Sequence, residues 1–296
     1  PCTNPPPHPP LHPPRRFHQP WETAATLALR QGDPTIAQVY EQHGRLHATH
    51  PALLPHRIAT EHWHHVAAGR RVAITTSSTD TARAINTAIQ HTRPDPVRDT
   101  GRDQDRDPNR DSSQDPAAVP LHDGTHAQVG DQIATRRNDP TLVTDRGEKI
   151  RNRHTWTLTH LHPDGGATIH HPHRGRVHLP AHYLSQHVEL GWAVTGYGTQ
   201  GDTTDIGIAI LEPGATRNHT YVALTRGRQA NHAWTPDPTG TTNPTDVLAT
   251  AVATDLGRHA ALSTLHQLHH QTGIPTPTVE EVLEPLPPGL QLESSR

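Results

Sequence analysis

Among the 296 residues there is no methionine, one cysteine (Cys2), one phenylalanine and a single lysine, Lys149. A lone cysteine excludes a disulfide framework or a cysteine metal cluster within the chain. The single lysine excludes more. A phosphate-binding loop requires Gly-x-x-x-x-Gly-Lys-Ser/Thr, and Lys149 sits instead in Gly147-Glu148-Lys149-Ile150. No strand-like stretch ends in paired acidic residues of the kind that hold Mg²⁺. Long apolar runs and a signal-peptide pattern are also missing, so no membrane partner and a cytoplasmic location are expected. A chain that opens on Pro1 and contains no methionine fits a processed, trimmed or mid-gene product.

Core-forming residues are scarce. The chain is 31% hydrophobic, with 30 Pro, 21 Gly and 28 His, against about 45–50% apolar in ordinary globular domains with glycine counted. Smaller folded segments separated by disordered ones are therefore expected. A net charge of −3 supplies no basic field for nucleic acid. Of the 26 Lys and Arg, one is Lys and 25 are Arg. Arginine suits bidentate phosphate contacts, but a GC-rich coding bias gives the same skew and also enriches Ala, Gly, Pro, Asp and His.

Proline dominates residues 1–14, which read as an extended tail. Residues 15–90 carry helical periodicity from Pro20-Trp21-Glu22 onward, with Gly32 as a stop and Asp33-Pro34 as a new start. They also hold a short buried strand, Arg71-Val72-Ala73-Ile74-Thr75, followed by Ser77/Ser78 as helix caps. Strand, polar turn and helix make one unit of a parallel α/β sheet. Residues 91–124 are rich in Asp, Arg and Pro and read as a disordered insertion. Residues 125–187 change to short alternating strands with glycine turns, the texture of a small antiparallel barrel. Buried-strand character returns over 188–240, in Leu190 to Thr195 and Ile206 to Leu211, with a short helix over 217–227. Residues 241–296 give a C-terminal helix and a loose tail.

Two boxes in 188–240 carry the chemistry. Thr225-Arg226-Gly227-Arg228 follows the short helix, where a planar, permanently charged guanidinium suits the charge on a transferring γ-phosphoryl group. Taken alone, it also reads as a cationic helix end that complements the dipole. Gln200-Gly201-Asp202-Thr203 forms a turn after a buried strand, a place where backbone N–H groups can meet an anion. Together, Trp192-Ala193-Val194-Thr195-Gly196-Tyr197-Gly198-Thr199-Gln200-Gly201-Asp202-Thr203 and Thr220-Tyr221-Val222-Ala223-Leu224-Thr225-Arg226-Gly227-Arg228 resemble the last two boxes of superfamily 1 DNA helicases of the RecD-like branch. The nearest likeness is to the helicase part of actinobacterial conjugative relaxase–helicases. Upstream, Arg15-Arg16-Phe17-His18-Gln19-Pro20-Trp21-Glu22 resembles the Arg-Phe box that opens the second motor domain. Val129-Gly130-Asp131 through Asn138-Asp139, and then Arg151-Asn152, resemble its inserted barrel.

The resemblance implies an α/β, RecA-like second motor domain with a small SH3-like β-barrel inserted. It makes Arg226 an arginine finger toward the γ-phosphate and Arg16 a second phosphate sensor. Gln200 and Gly201 would lie near the nucleotide, while Thr195 and Tyr197 would face single-stranded DNA. Tyr197 and Gly198 replace the family's usual His and basic residue. ATP and Mg²⁺ are implied only in a complete motor, whose first domain would come from another segment or chain; no tight binding is expected here. Two other readings stay open. Without the lysine loop, the chain also fits a non-catalytic remnant that binds DNA or a partner. Clustered histidines, His62, His64 and His65 and then His160, His162, His170, His171 and His173, raise a metal binder, although no cysteine or repeated spacing supports one and no metal residue is assigned.

Overall fold

The structure, a computed structural model, describes residues 17–94, 117–196 and 204–254. Helices α1 (Pro20–Gln31) and α2 (Ile36–Gln42) come first. Proline sits in the first turn of α1, and Gly32 closes it in a left-handed conformation (φ 79°) that lets its N–H reach Ala28 O and Leu29 O. Strand β1 (Leu46–Thr49), α3 (Leu54–Ala67), β2 (Val72–Thr76) and α4 (Thr79–His91) follow. The expected cap is present: Ser78 Oγ accepts from Thr81 N at 3.3 Å. Strand β1 is not signalled by the sequence. Only four residues long and half-buried at the sheet edge, it carries too few apolar positions to show a period.

The middle of the chain is antiparallel. It comprises β3 (Val119–Pro120), β4 (His126–Ala127), β5 (Gln132–Thr135), β6 (Asp139–Val143), β7 (Lys149–Ile150), β8 (Thr155–Leu161), β9 (Ala167–His171), β10 (Gly175–Leu179), α5 (Ala181–His187) and β11 (Val188–Leu190). Five strands form one sheet in the order β10-β9-β8-β5-β11, with β10 and β11 at its edges, while β3–β4 and β6–β7 make two small pairs. Strand β3 falls inside the stretch read as a linker, and residues 95–116 lie outside the described residues.

The chain then returns through β12 (Ala193–Thr195), β13 (Thr204–Ile210), α6 (Arg217–Ala223), β14 (Gly227–Pro236) and α7 (Pro244–Ala253). The stretch from Leu190 to Thr195, expected as one buried strand, is two. Leu190 pairs with Ile133 of the antiparallel sheet, and Ala193 pairs with Ile74 of a second sheet. Gly191 and Trp192 make the crossing, where the chain changes from one ladder to the other. A side chain on Gly191 would meet the Ile133–Ala134 backbone.

The second sheet runs β1-β14-β13-β2-β12, every pairing parallel. Its centre, β13, shows why both faces must be covered. Ile206, Ile208 and Ile210 point to one side, into a core with Ile58, Ile74, Ile85 and Ile89 of β2, α3 and α4. Ala209 points to the other, into a core with Leu29, Tyr40, Ala223 and Leu248 of α1, α2, α6 and α7. Period-two side chains on a parallel strand thus build a three-layer α/β body. The first core continues without a break into Ile133, Trp156, Leu158 and Ile169 of the antiparallel sheet.

Asn86 of α4 fastens the two sheets where β11 gives way to β12. Its Nδ2 donates to Leu190 O (2.8 Å) and Ala193 O (3.0 Å), and its Oδ1 accepts from Ala193 N (2.6 Å). Farther along α4's exit, Arg93 Nη1 donates to Asp131 Oδ1 at 2.7 Å, Gln90 Nε2 donates to Asp131 Oδ2 at 2.5 Å, and Trp63 Nε1 donates to Ile89 O at 3.0 Å. Asn86→Leu removes three buried bonds and strands three backbone groups. A loss of about 2–4 kcal/mol follows, measured as a lower urea midpoint with an unchanged m-value; a midpoint equal to wild type would refute the clamp.

Candidate nucleotide-facing edge

The Thr-Arg-Gly-Arg box occupies the passage from α6 into β14. Thr216 caps α6, accepting from His219 N at 3.5 Å. Past the last turn, Thr225 Oγ1 donates to Tyr221 O (2.7 Å) and Arg226 Nε donates to Val222 O (2.8 Å). These bonds satisfy helix carbonyls that would otherwise lack partners. They also hold the Arg226 guanidinium against the helix, and the residue is only 7% exposed.

Gly227 then enters the sheet in a space no side chain fits. A Cβ there would run into Ala230 O and Gly207 N, and one on Gly207 would run into Asn231 Oδ1. Asn231, fully buried, closes the turn by accepting from Gly227 N and donating to Gly227 O, both at 2.8 Å. The chain's opening segment seals this turn from outside. His18 N donates to Arg228 O (2.7 Å), and Asn231 N donates to Glu22 Oε1 (3.0 Å). Glu22 is buried, and burial pushes its carboxyl up despite the Asn231 N–H and nearby Arg45. The opening box and the Thr-Arg-Gly-Arg box, far apart in sequence, therefore form one assembly. Arg16 itself lies outside the described residues.

Two neighbouring arginine residues converge on Asp205. Arg228 donates to Asp205 Oδ1 from Nε (2.8 Å) and from Nη2 (2.7 Å), and Arg71 donates its backbone N–H to Asp205 Oδ2 (2.9 Å). Burial pushes Asp205 up, but the Arg71 N–H and the Arg228 guanidinium outweigh it and leave the carboxyl below its usual range. Asp205 is a residue the sequence does not single out, although an acid inside an otherwise apolar run, Thr204 to Ile210, is the signal that marks it.

Thr195 stands at the opposite edge. It closes β12 opposite Thr76, its carbonyl accepts from Arg153 Nη1 at 2.8 Å, and a cavity of about 80 Å³ beside it is lined by Thr135, Arg136, Asn152 and Glu189. Because the strands are parallel, Thr195 lies at their C-terminal ends and Arg226 at their N-terminal ends. The fold does not bring them together. Tyr197, Gln200 and Gly201 lie outside the described residues.

Several histidines are held inside the fold. Arg45 Nη1 lies 3.0 Å from His232 Nε2, and His232 Nδ1 lies 3.1 Å from His47 Nε2. Arginine only donates, so His232 Nε2 accepts, and its Nδ1 carries the proton toward His47. Burial, reinforced by Arg45, pushes His232 down to about 3, and burial pushes His62 down to about 4. Among the described residues no group of three His, Cys, Asp or Glu side chains is placed to hold a metal.

Gly227→Ala forces the β13–β14 approach apart and should cost about 2–3 kcal/mol, seen as a lower melting temperature; an unshifted melt would refute the close approach. For His62 and His232 the folded pKa lies below the unfolded value of about 6.5. The unfolded chain therefore binds more protons as pH falls, and stability is full above about 6.5 and declines below it. His47 and His65, also pushed down mainly by burial, act in the same direction. Urea midpoints should drop between pH 7 and pH 5.5, against the opposite pull of the raised Glu22 and Asp131 carboxyls. His232→Gln should flatten that drop, and a midpoint independent of pH would show the histidines are not held neutral.

No helix among the described residues is long and apolar enough to cross a membrane. No protein-family model matches the chain, and no curated protein matches it. Among solved structures it is similar to Bacteroides Pif1 bound to ssDNA, at 13% identity and a TM-score of 0.46 over 86% of this chain and 55% of that one. It is also similar to Pif1 helicase from Candida albicans, at 12% identity and a TM-score of 0.42 over 81% of this chain and 57% of that one. The chain spans little more than half the length of either structure.

Proposed function

We propose that this chain is the second, RecA-like motor domain, with an SH3-like insertion, of an ATP-dependent DNA helicase of the superfamily 1, RecD-like, relaxase–helicase type. The observation that carries the reading is the assembly around Arg226. The Gly227–Asn231 turn fixes this arginine at one edge of a parallel sheet, and the opening box packs on the same turn through His18 and Glu22. Within the box Arg228 is paired with Asp205, and Arg226 is the position that the resemblance makes the phosphate ligand. In a complete motor a P-loop on the other domain would hold ATP and Mg²⁺. Arg226 would turn from the Val222 carbonyl toward the γ-phosphate, with Arg16, Gln200 and Gly201 alongside. Thr195 and Tyr197 would meet single-stranded DNA at the far edge. Alone, the chain turns over no ATP.

The absent lysine loop favours a second reading, a non-catalytic module that binds DNA or a partner. One experiment separates the two. In a complete motor carrying this segment, Arg226→Ala should lower DNA-stimulated ATP turnover by about 10³-fold and leave single-stranded DNA binding intact. Arg226→Lys, which retains the charge, controls for the packing against α6. Unchanged turnover in both variants would remove the finger and leave the module.

A further inference from the structure

A cleft of about 750 Å³ opens between the parallel sheet and the antiparallel one, beside the β2 N-terminus. Its volume falls within the roughly 300–1,000 Å³ of sites that enclose small ligands. One wall is the end of α3 and the start of β2, with Trp63, Arg70 and Arg71. The other is β8 and the β9 turn, with Trp156, His171 and His173. No Asp or Glu lines it. Asp131 and Asp205, which adjoin the lining residues Gly130 and Thr204, are already matched, Asp131 by Arg93 and Gln90 and Asp205 by Arg228 and the Arg71 N–H.

The lining thus combines cations with planar rings and has no negative charge to oppose an anion. Trp63 is half-buried, with its Nε1 on Ile89 O, so the ring is fixed while part of its surface stays open. The wall also contains unmet polar groups. His62, 5% exposed, has its Nδ1 without a hydrogen-bond partner, as has Nε1 of Trp156, 2% exposed, and Nε of Arg70 is likewise unmatched. Those three atoms are themselves sealed from the cleft, so ligand contacts fall to the ring surfaces and arginine head groups that stay open.

We propose that this cleft binds a nucleotide unit. The phosphate would be held by Arg70 and Arg71 and the base would lie against Trp63 and the histidines of the β9 turn. Planar rings accept any base face, while the guanidinia take the phosphate. The site differs from the Thr195 contact, since it sits at the other end of the strands, and it stands whether or not the chain belongs to a motor.

Histidine modification by diethylpyrocarbonate, read residue by residue by mass spectrometry at pH 7, tests it on the full chain. Saturating (dT)8 should protect His171 and His173 and leave exposed His182 of α5 unchanged. Arg70→Ala/His173→Ala should weaken (dT)8 binding by about tenfold, the size of one lost base contact, whereas Arg70→Lys should retain most of it. Protection by thymidine monophosphate at equal nucleotide concentration would identify a mononucleotide site; protection by (dT)8 alone would identify a strand site. Full modification of His171 and His173 with (dT)8 bound elsewhere would overturn the cleft and leave the Thr195 contact standing. Equal protection by hexaglutamate would overturn it as well, by showing a site that reads charge without bases.

Discussion

Everything in the parallel body depends on how closely β14 approaches β13 at its first residue. Gly207 and Gly227 leave no room for a Cβ, and Asn231 fills the gap they share with two bonds to the Gly227 backbone. A parallel ladder has no tight turn of its own to set register, so register must be fixed by packing and by a few side chain–backbone bonds. This turn does that for the central pair. Once it is set, Ile206, Ile208 and Ile210 face α3 and α4 while Ala209 faces α1 and α6, and a one-residue slip would exchange the two cores.

The helices were legible because each has an apolar stripe and punctuation: Pro20 and Gly32 for α1, Ser78 for α4, Asn243-Pro244 for α7. The central strand was legible as a continuous apolar run. The crossing at Gly191-Trp192 was not, because local pattern does not say which ladder a buried residue joins; only the partners Ile133 and Ile74 do. At the candidate site, Arg226 was legible from its box, and its placement against α6 was not, since a bond to Val222 O depends on how the helix ends. Asp205, Glu22 and the Arg45–His232–His47 chain were missed for the same reason. Each is a polar group whose role comes from a partner distant in sequence.

Charge is handled in two ways. Two buried acids are kept as matched groups: Asp205 with two arginine residues, Asp131 with Arg93 and Gln90. Burial pushes His47, His62, His65 and His232 toward the neutral form, and His232 also accepts a bond from Arg45. A chain enriched in histidine thus gains small polar aromatic fillers without a second set of buried positive charges. His232 and His47 spend one nitrogen each on one another.

On the proposed reading, phosphate would be sensed at Arg226 and DNA at Thr195, two edges of one sheet separated by the length of its strands. At about 3.3 Å per residue, the five residues of β2 that connect those edges span about 15 Å, too far for one contact to link them. Coupling would then have to travel through the sheet as a rigid body, and the structure supplies the stiffness. One apolar core runs through both sheets, Asn86 fastens their junction with three bonds, and Asp131 holds the far end of α4. The antiparallel sheet and the parallel one thus share one packed body. On that reading, a pull at the Arg226 edge would displace Thr195 and the cleft beside β2 together.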